Sequence, residues 1–300
     1  MKHFIEITDF STDQLLALLD RADTLRQAWK NNAMPRTLNG KRVALWFFGN
    51  GFRNRLAFEI GARAMGAEVS YIPGDLGTHE PLEDIGHYLK NWFNLAIIRC
   101  KNHNDLAALA AKNCLPIING RTNFNHPCEI LGDLQYIRLK RGSLDGLEIL
   151  FVGELTNLCM SWMKAASRLA IRVVQAGPRD FLLSEKALVE MNKNIRGEIA
   201  VTENLESALS VKTDILYTDC WPKSLIRNEI SDLFLPYQIQ TRHLEKMNPQ
   251  GFFLPCPPVT RGEEVSAESL KHPLCQNYEA KDCLLHSQNA IMEFLVNENG

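Results

Sequence analysis

The feature that most restricts this chain is an alternation. Short apolar runs of strand length are each followed by a segment with helical spacing, along nearly the whole sequence. Runs at 43–48, 69–72, 95–98 and 116–118 alternate with helix-like segments at 53–65, 82–92, 104–112 and 127–141. Strands separated by helices pair in parallel, because a parallel neighbour is reached only through a long crossover, and such strands read as near-continuous apolar runs. After 141–146 the pattern restarts, with runs at 147–152, 171–175, 199–201, 214–217 and 252–254 and helix-like segments at 156–169 and 184–194. A first helix is expected over 11–30, opened by a cap at Ser11 and carried by Leu15, Leu16, Leu18, Leu19 and Leu25. The chain closes with an amphipathic helix whose Cys283, Leu284, Ala290, Ile291, Phe294 and Leu295 form one stripe. The expected fold class is therefore α/β, with two domains, each a parallel sheet flanked by helices. The first spans residues 1–141, with the C-terminal helix 280–297 packing back on it, and the second spans 142–279.

Composition narrows the functional classes. A formal net charge of -2 gives no global field that would gather nucleic acid or an anionic membrane. The eight cysteines form no C-x-x-C pair, which fits buried thiols in a reducing compartment rather than disulfides or zinc. The N-terminal residues carry no long apolar run, so neither a signal peptide nor a membrane span is expected, and the expected location is the cytoplasm.

In parallel sheets ligands bind beyond the carboxyl ends of the strands, so the segments that follow the apolar runs hold the candidate chemistry. After 43–48 comes Gly49-Asn50-Gly51-Phe52-Arg53-Asn54-Arg55, glycines and bases at a strand-to-helix junction. Free N–H groups and guanidinium forks there suit an anion; a tight turn with surface arginines is the alternative. No third glycine follows, which sets a dinucleotide site aside. Arg99 ends the third run, placed for an anionic ligand or a carboxylate partner. His126-Pro127-Cys128-Glu129 opens a helix, with proline at a suitable first position. Asp219, in Tyr217–Trp221, could receive an amine or cap a helix, and the proline-rich stretch 254–265 presents Cys256 and Arg261.

Taken together, these segments resemble the aspartate/ornithine carbamoyltransferases, and the ornithine branch most. The family's S-T-R-T-R falls on Gly51-Phe52-Arg53-Asn54-Arg55, followed by Ala57-Phe58-Glu59, and its H-P-x-Q falls on His126–Glu129. The branch's Y-T-D-x-W falls on Tyr217–Trp221, and its H-C-L-P loop with R-G-E-E-V falls on Pro255–Val265. The resemblance implies a donor site for carbamoyl phosphate at Gly51, Phe52, Arg53, Asn54, Arg99, His126 and Glu129. It implies an acceptor site at Asn157, Asp219, Lys223, Ser224, Cys256 and Pro257, with Arg99, His126, Cys256 and Arg261 in catalysis. Small-molecule substrates, no metal and no cofactor beyond the cosubstrate, and a homotrimer whose neighbouring loop 74–80 completes each site are implied likewise.

The departures fall at the chemistry. Gly51 and Phe52 replace two hydroxyl donors, each worth about 1.5–3 kcal/mol toward a charged ligand. Glu129 replaces a glutamine and would repel a phosphate dianion unless protonated or paired with an arginine. In the ungapped register Lys223 stands at the branch's serine, and its charge in the pocket would favour an acceptor with an extra carboxylate or an acylated amine; with one inserted residue Ser224 takes the serine's place. The expected function is thus transfer of a carbamoyl group to an unusual amino-acid-like amine. A non-catalytic homologue, or an enzyme using a different donor, is the alternative.

Overall fold

A computed structural model describes residues 1–77, 80–210, 212–224 and 227–299. Two compact units result: Met1–Gly142 with Lys281–Gly300, and Ser143–Ala280. Both have the expected architecture of a parallel sheet flanked by helices.

In the first unit, helix α1 (Thr12–Lys30) precedes strands β1 (Arg42–Phe47), β2 (Glu68–Pro73), β3 (Leu95–Arg99) and β4 (Ile117–Arg121), linked by α2 (Phe52–Ala64), α3 (Leu82–Trp92) and α4 (His103–Ala111). Helix α5 (Pro127–Arg141) follows β4. The strands run parallel in the order β2-β1-β3-β4, so the winding reverses between β1 and β3. In open sheets of this kind, such a reversal marks the place beyond the strands' carboxyl ends where ligands bind. β3 reads Leu95 to Ile98 without a polar residue because all four are buried.

Helix α1 begins with a reciprocal cap between Ser11 and Gln14. Helix α5 is buried along its first eleven residues, Pro127 to Ile137, so no single stripe marks it. It lies against the last helix of the chain, where a Cβ on Gly132 would stand 3.1 Å from the Leu284 Cα, so a larger residue would have to push the two helices apart by a few tenths of an ångström.

The second unit contains β5 (Leu147–Val152), β6 (Ile171–Ala176), β7 (Glu198–Thr202), β8 (Ile215–Thr218) and β9 (Phe252–Pro255). Its helices are α6 (Asn157–Ala166), α7 (Glu185–Met191), α8 (Leu205–Ala208), α9 (Arg227–Phe234) and α10 (Thr241–Leu244). The strand order β7-β6-β5-β8-β9 reverses between β5 and β8. Under this sheet Tyr217 stacks on Phe151 (5.6 Å between rings) and meets Trp162 edge-on (5.7 Å). All three are fully buried, each contributing about 1.5–3 kcal/mol by leaving water.

The closing helix, α11 (Asn277–Glu298), starts slightly before the expected position. Its apolar stripe is buried as expected, apart from half-buried Phe294, but Ser287, Gln288, Asn289 and Glu293 are buried too. Among the described residues no helix is long and apolar enough to cross a membrane.

Candidate functional site

In the first unit the segments after β1, β3 and β4 converge. Gly51 caps α2 in the left-handed region (φ 52°) and offers no side-chain acceptor to the first-turn N–H groups. No acidic residue stands in that turn, so the helix N-terminus keeps its positive character. A Cβ on Gly51 would lie 2.8 Å from the Phe47 ring and 3.3 Å from the Arg99 Cδ, so the glycine fits tightly between these side chains. The Phe52 ring next to it is 59% exposed. Arg55 turns to the Tyr71 ring, 4.6 Å from its centroid.

Asn54 is a buried hub. Its amide nitrogen donates to the Gly120 carbonyl at 2.6 Å and lies 3.2 Å from His126 Nε2, while its Oδ1 accepts from Gln288 Nε2 at 3.1 Å. Because Oδ1 already serves Gln288, the amide N–H is the group facing the imidazole. Nε2 of His126 is then an acceptor, and the ring proton sits on Nδ1. Burial, and behind it the cations Arg99, Arg121 and Lys281, push this imidazole down to about 3 against the pull of Glu129. His126 is therefore a neutral hydrogen-bond donor near pH 7.

Glu129, in the first turn of α5, is the other buried group. Its Oε2 lies 3.6 Å from His126 Nε2, and its Oε1 meets Lys281 Nζ at 2.7 Å. Lys281, from α11, also contacts Asp133 Oδ1 at 2.8 Å. Burial pushes the Glu129 carboxyl up, but Lys281 and, less strongly, Arg53 pull it further down, so it stays ionised and neutralised. The partner that tames this carboxylate is thus a lysine. Arg99 is pushed down to about 10 by burial and then by neighbouring Arg121, with Arg53 adding to the effect and Glu129 opposing it. Three guanidinium groups, from the ends of β3 and β4 and the start of α2, therefore influence one another.

In the second unit Asn157 opens α6 behind the Thr156 cap, whose hydroxyl accepts from Cys159 N at 3.4 Å. Asp219 follows β8, and its Oδ1 accepts from Cys220 N at 2.8 Å. Two more carboxyls share its electrostatic surroundings. Burial and then Asp219 push Glu154 up to about 7; burial does the same to Glu264, helped by Glu263 and Asp219 against the Thr260 N–H. Cys256 is buried beyond β9, with its N–H on the Thr218 carbonyl at 2.8 Å, while Pro257 is half-buried. Lys223, Ser224 and Arg261 are exposed. Leu225, which would follow Ser224 in the branch's motif, lies outside the described residues.

Residues 2–139 match the profile of the aspartate/ornithine carbamoyltransferase carbamoyl-P binding domain, and residues 145–295 match that of the Asp/Orn binding domain. The chain belongs to the aspartate/ornithine carbamoyltransferase family. It is 31% identical to the ornithine carbamoyltransferase of Acinetobacter baylyi over 306 residues, covering 100% of this chain and 98% of that one. Identity to the Methanothermobacter thermautotrophicus enzyme of the same name is 32%, covering 99% and 100%. Among solved structures, the ornithine carbamoyltransferase of Pyrococcus furiosus superposes with a TM-score of 0.93 at 25% identity, covering 99% of this chain and 97% of that one. The Burkholderia thailandensis ornithine carbamoyltransferase gives 0.90 at 26%, covering 99% of each.

Within the carbamoyl-P binding domain the structure thus gathers Gly51, Arg53, Asn54, Arg99, His126 and Glu129. Two residues of this cluster are not singled out by motif or spacing: Arg121 and Lys281. Arg121 could have been found by the same rule that flags Arg99, since it too ends a strand. Lys281 carries no local signal, because its partners lie about 150 residues earlier in the chain.

Proposed function

We propose that this chain transfers the carbamoyl group of carbamoyl phosphate to the amine of an amino-acid-like acceptor. One observation carries the reading: the uncapped α2 N-terminus, Arg53, Arg99 and a neutral His126 are gathered where the strand order reverses. That charge suits a phosphate dianion, and an imidazole with its proton on Nδ1 suits a carbonyl oxygen. The neutral amine attacks the carbonyl carbon, the carbon–oxygen bond to phosphorus breaks, and phosphate leaves with the bonding pair. The nitrogen sheds one proton to the departing phosphate or to solvent. Arg99 and His126 stabilise the charge that develops on the carbonyl oxygen, and positioning supplies much of the remainder. Neither metal nor further cofactor takes part.

The second unit takes the acceptor. Asn157 receives its α-carboxylate, and Asp219 an amine. Cys256 and Pro257, with Arg261, shape the reacting end. Lys223, in the ungapped register, favours an acceptor carrying an extra carboxylate or an acylated amine over the ornithine for which the relatives are named, with Ser224 beside it. The protein works in the cytoplasm as a homotrimer in which loop 74–80 serves a neighbouring site; Thr78 and His79 of that loop lie outside the described residues. In support, Tyr88 and Trp92 stack at 6.1 Å while 48% and 57% exposed, beside an apolar groove of about 360 Å³ that includes Trp46, Ile72 and Phe93.

The test is incubation with carbon-13-labelled carbamoyl phosphate and a panel of amino acids, N-acylated diamino acids and amino dicarboxylates. The expected result is release of phosphate matched by a new ureido carbon resonance for one class of amine. His126→Ala should slow it by about 10²-fold or more. Release at the uncatalysed rate with every amine, or a rate indifferent to His126→Ala, contradicts the reading.

A further inference from the structure

Register sets Arg121 directly beside Arg99. The β3–β4 ladder pairs Ile98 with Asn119 and then, after an irregularity, Arg99 with Arg121. Like charges placed opposite one another on neighbouring strands destabilise a sheet. Here only the more distant Glu129 works against them: among the described residues neither arginine has an ion-pair partner, and the buried Nε of Arg99 has no hydrogen-bond acceptor. The position is also held firmly. Cys100 N donates to the Arg121 carbonyl at 3.1 Å, and the turn that follows is closed by Thr122 N on the Asn125 carbonyl at 2.9 Å. Asn119 and Asn125 brace it from below through their side-chain amides. A rigid strand end holding two unmatched guanidinium groups, beside the uncapped start of α2, is a receptor for a multiply charged anion.

We propose that Arg121 is an anion-binding residue of the donor site, gripping the phosphate in place of the hydroxyl donors that Gly51 and Phe52 do not supply. The inference rests on the donor reading given above and adds a ligand to it. It also gives the repulsion between Arg99 and Arg121 a purpose: bound phosphate relieves it.

The experiment titrates the full-length protein with inorganic phosphate and, separately, with carbamoyl phosphate, and compares wild type with Arg121→Met and Arg121→Lys. Methionine keeps the length and the apolar stem without the charge. Lysine keeps the charge without the two-pronged fork. Arg121→Met should weaken both ligands by about 10- to 100-fold, with Arg121→Lys in between, and the wild-type affinity should fall more steeply with salt. Thermal unfolding without ligand supplies the control, because removing an unmatched charge should leave the melting temperature equal or higher. Unchanged phosphate affinity in Arg121→Met overturns the assignment while leaving the donor reading intact. A melting temperature lowered in both variants makes the arginine structural and overturns it as well. Phosphate binding that depends on Arg121 without any binding of carbamoyl phosphate upholds the assignment and removes the donor reading. Wild type that binds neither ligand defeats both.

Discussion

Gly51 occupies a position that an ordinary side chain does not fit. Its φ of 52° lies in the left-handed region, and a Cβ would press on the Phe47 ring. A serine here, as in the family motif, therefore needs a different local backbone. Gly51→Ser is expected to lower stability by about 1–3 kcal/mol in denaturant unfolding, with no gain in phosphate affinity. An unaltered midpoint together with tighter phosphate binding would show that the turn relaxes freely. Asn54 supports the same conclusion from the opposite side. Its amide is spent on Gly120, His126 and Gln288, so this residue builds the site by fixing an imidazole tautomer.

Helix α11 is the element that braces this cluster. It delivers Lys281 to Glu129 and Asp133, and Gln288 to Asn54, from the far end of the chain. Breaking a buried pair leaves an uncompensated charge, so Lys281→Met should cost about 3–5 kcal/mol. Adding Glu129→Gln should recover part of that loss, while Asp133 still lacks its lysine. A double variant no more stable than Lys281→Met alone would mean that the two side chains are not coupled. The strands were legible in the sequence because a buried parallel strand needs an apolar residue at nearly every position, as 95–98 illustrates. The stripe on α11 was legible for the same reason. Its inward polar residues were not: spacing marks apolar faces, whereas an inward lysine is explained only by a carboxylate distant in sequence. Short helices such as α8 and α10 were also missed, being too brief to establish a period. Of the donor-site cluster, Arg53, Arg99 and His126 could be marked from their places at strand ends and helix starts. Arg121 obeys the same rule but sits in no motif, and its pairing with Arg99 emerges only from the strand register.

At the scale of the whole molecule, acid should act on the two units with opposite sign. In the first unit His126 is held neutral down to about 3, whereas an unfolded histidine takes a proton near 6.5. The unfolded state thus binds more protons between these values, and stability falls as pH falls through this window. In the second unit Glu154 and Glu264 are pushed up to about 7 from 4.5, so the folded state binds more protons between 4.5 and 7. Acidification through that window stabilises this unit, against the smaller opposing effect of His243, which burial lowers. Hydrogen exchange corrected for intrinsic rates should therefore show, from pH 7.5 to 5, protection falling in peptides of the first unit and rising in those of the second. A common direction in both would contradict these assignments.

On the function proposed above, the first unit receives carbamoyl phosphate although two of the family's hydroxyl donors are missing. Calorimetric titration of the intact protein with carbamoyl phosphate tests it most directly. Saturable binding is expected in the micromolar to low millimolar range, corresponding to roughly -8 to -4 kcal/mol, and progressively weaker as salt is added. Heats indistinguishable from dilution up to tens of millimolar, with acceptor amines present or absent, would contradict it.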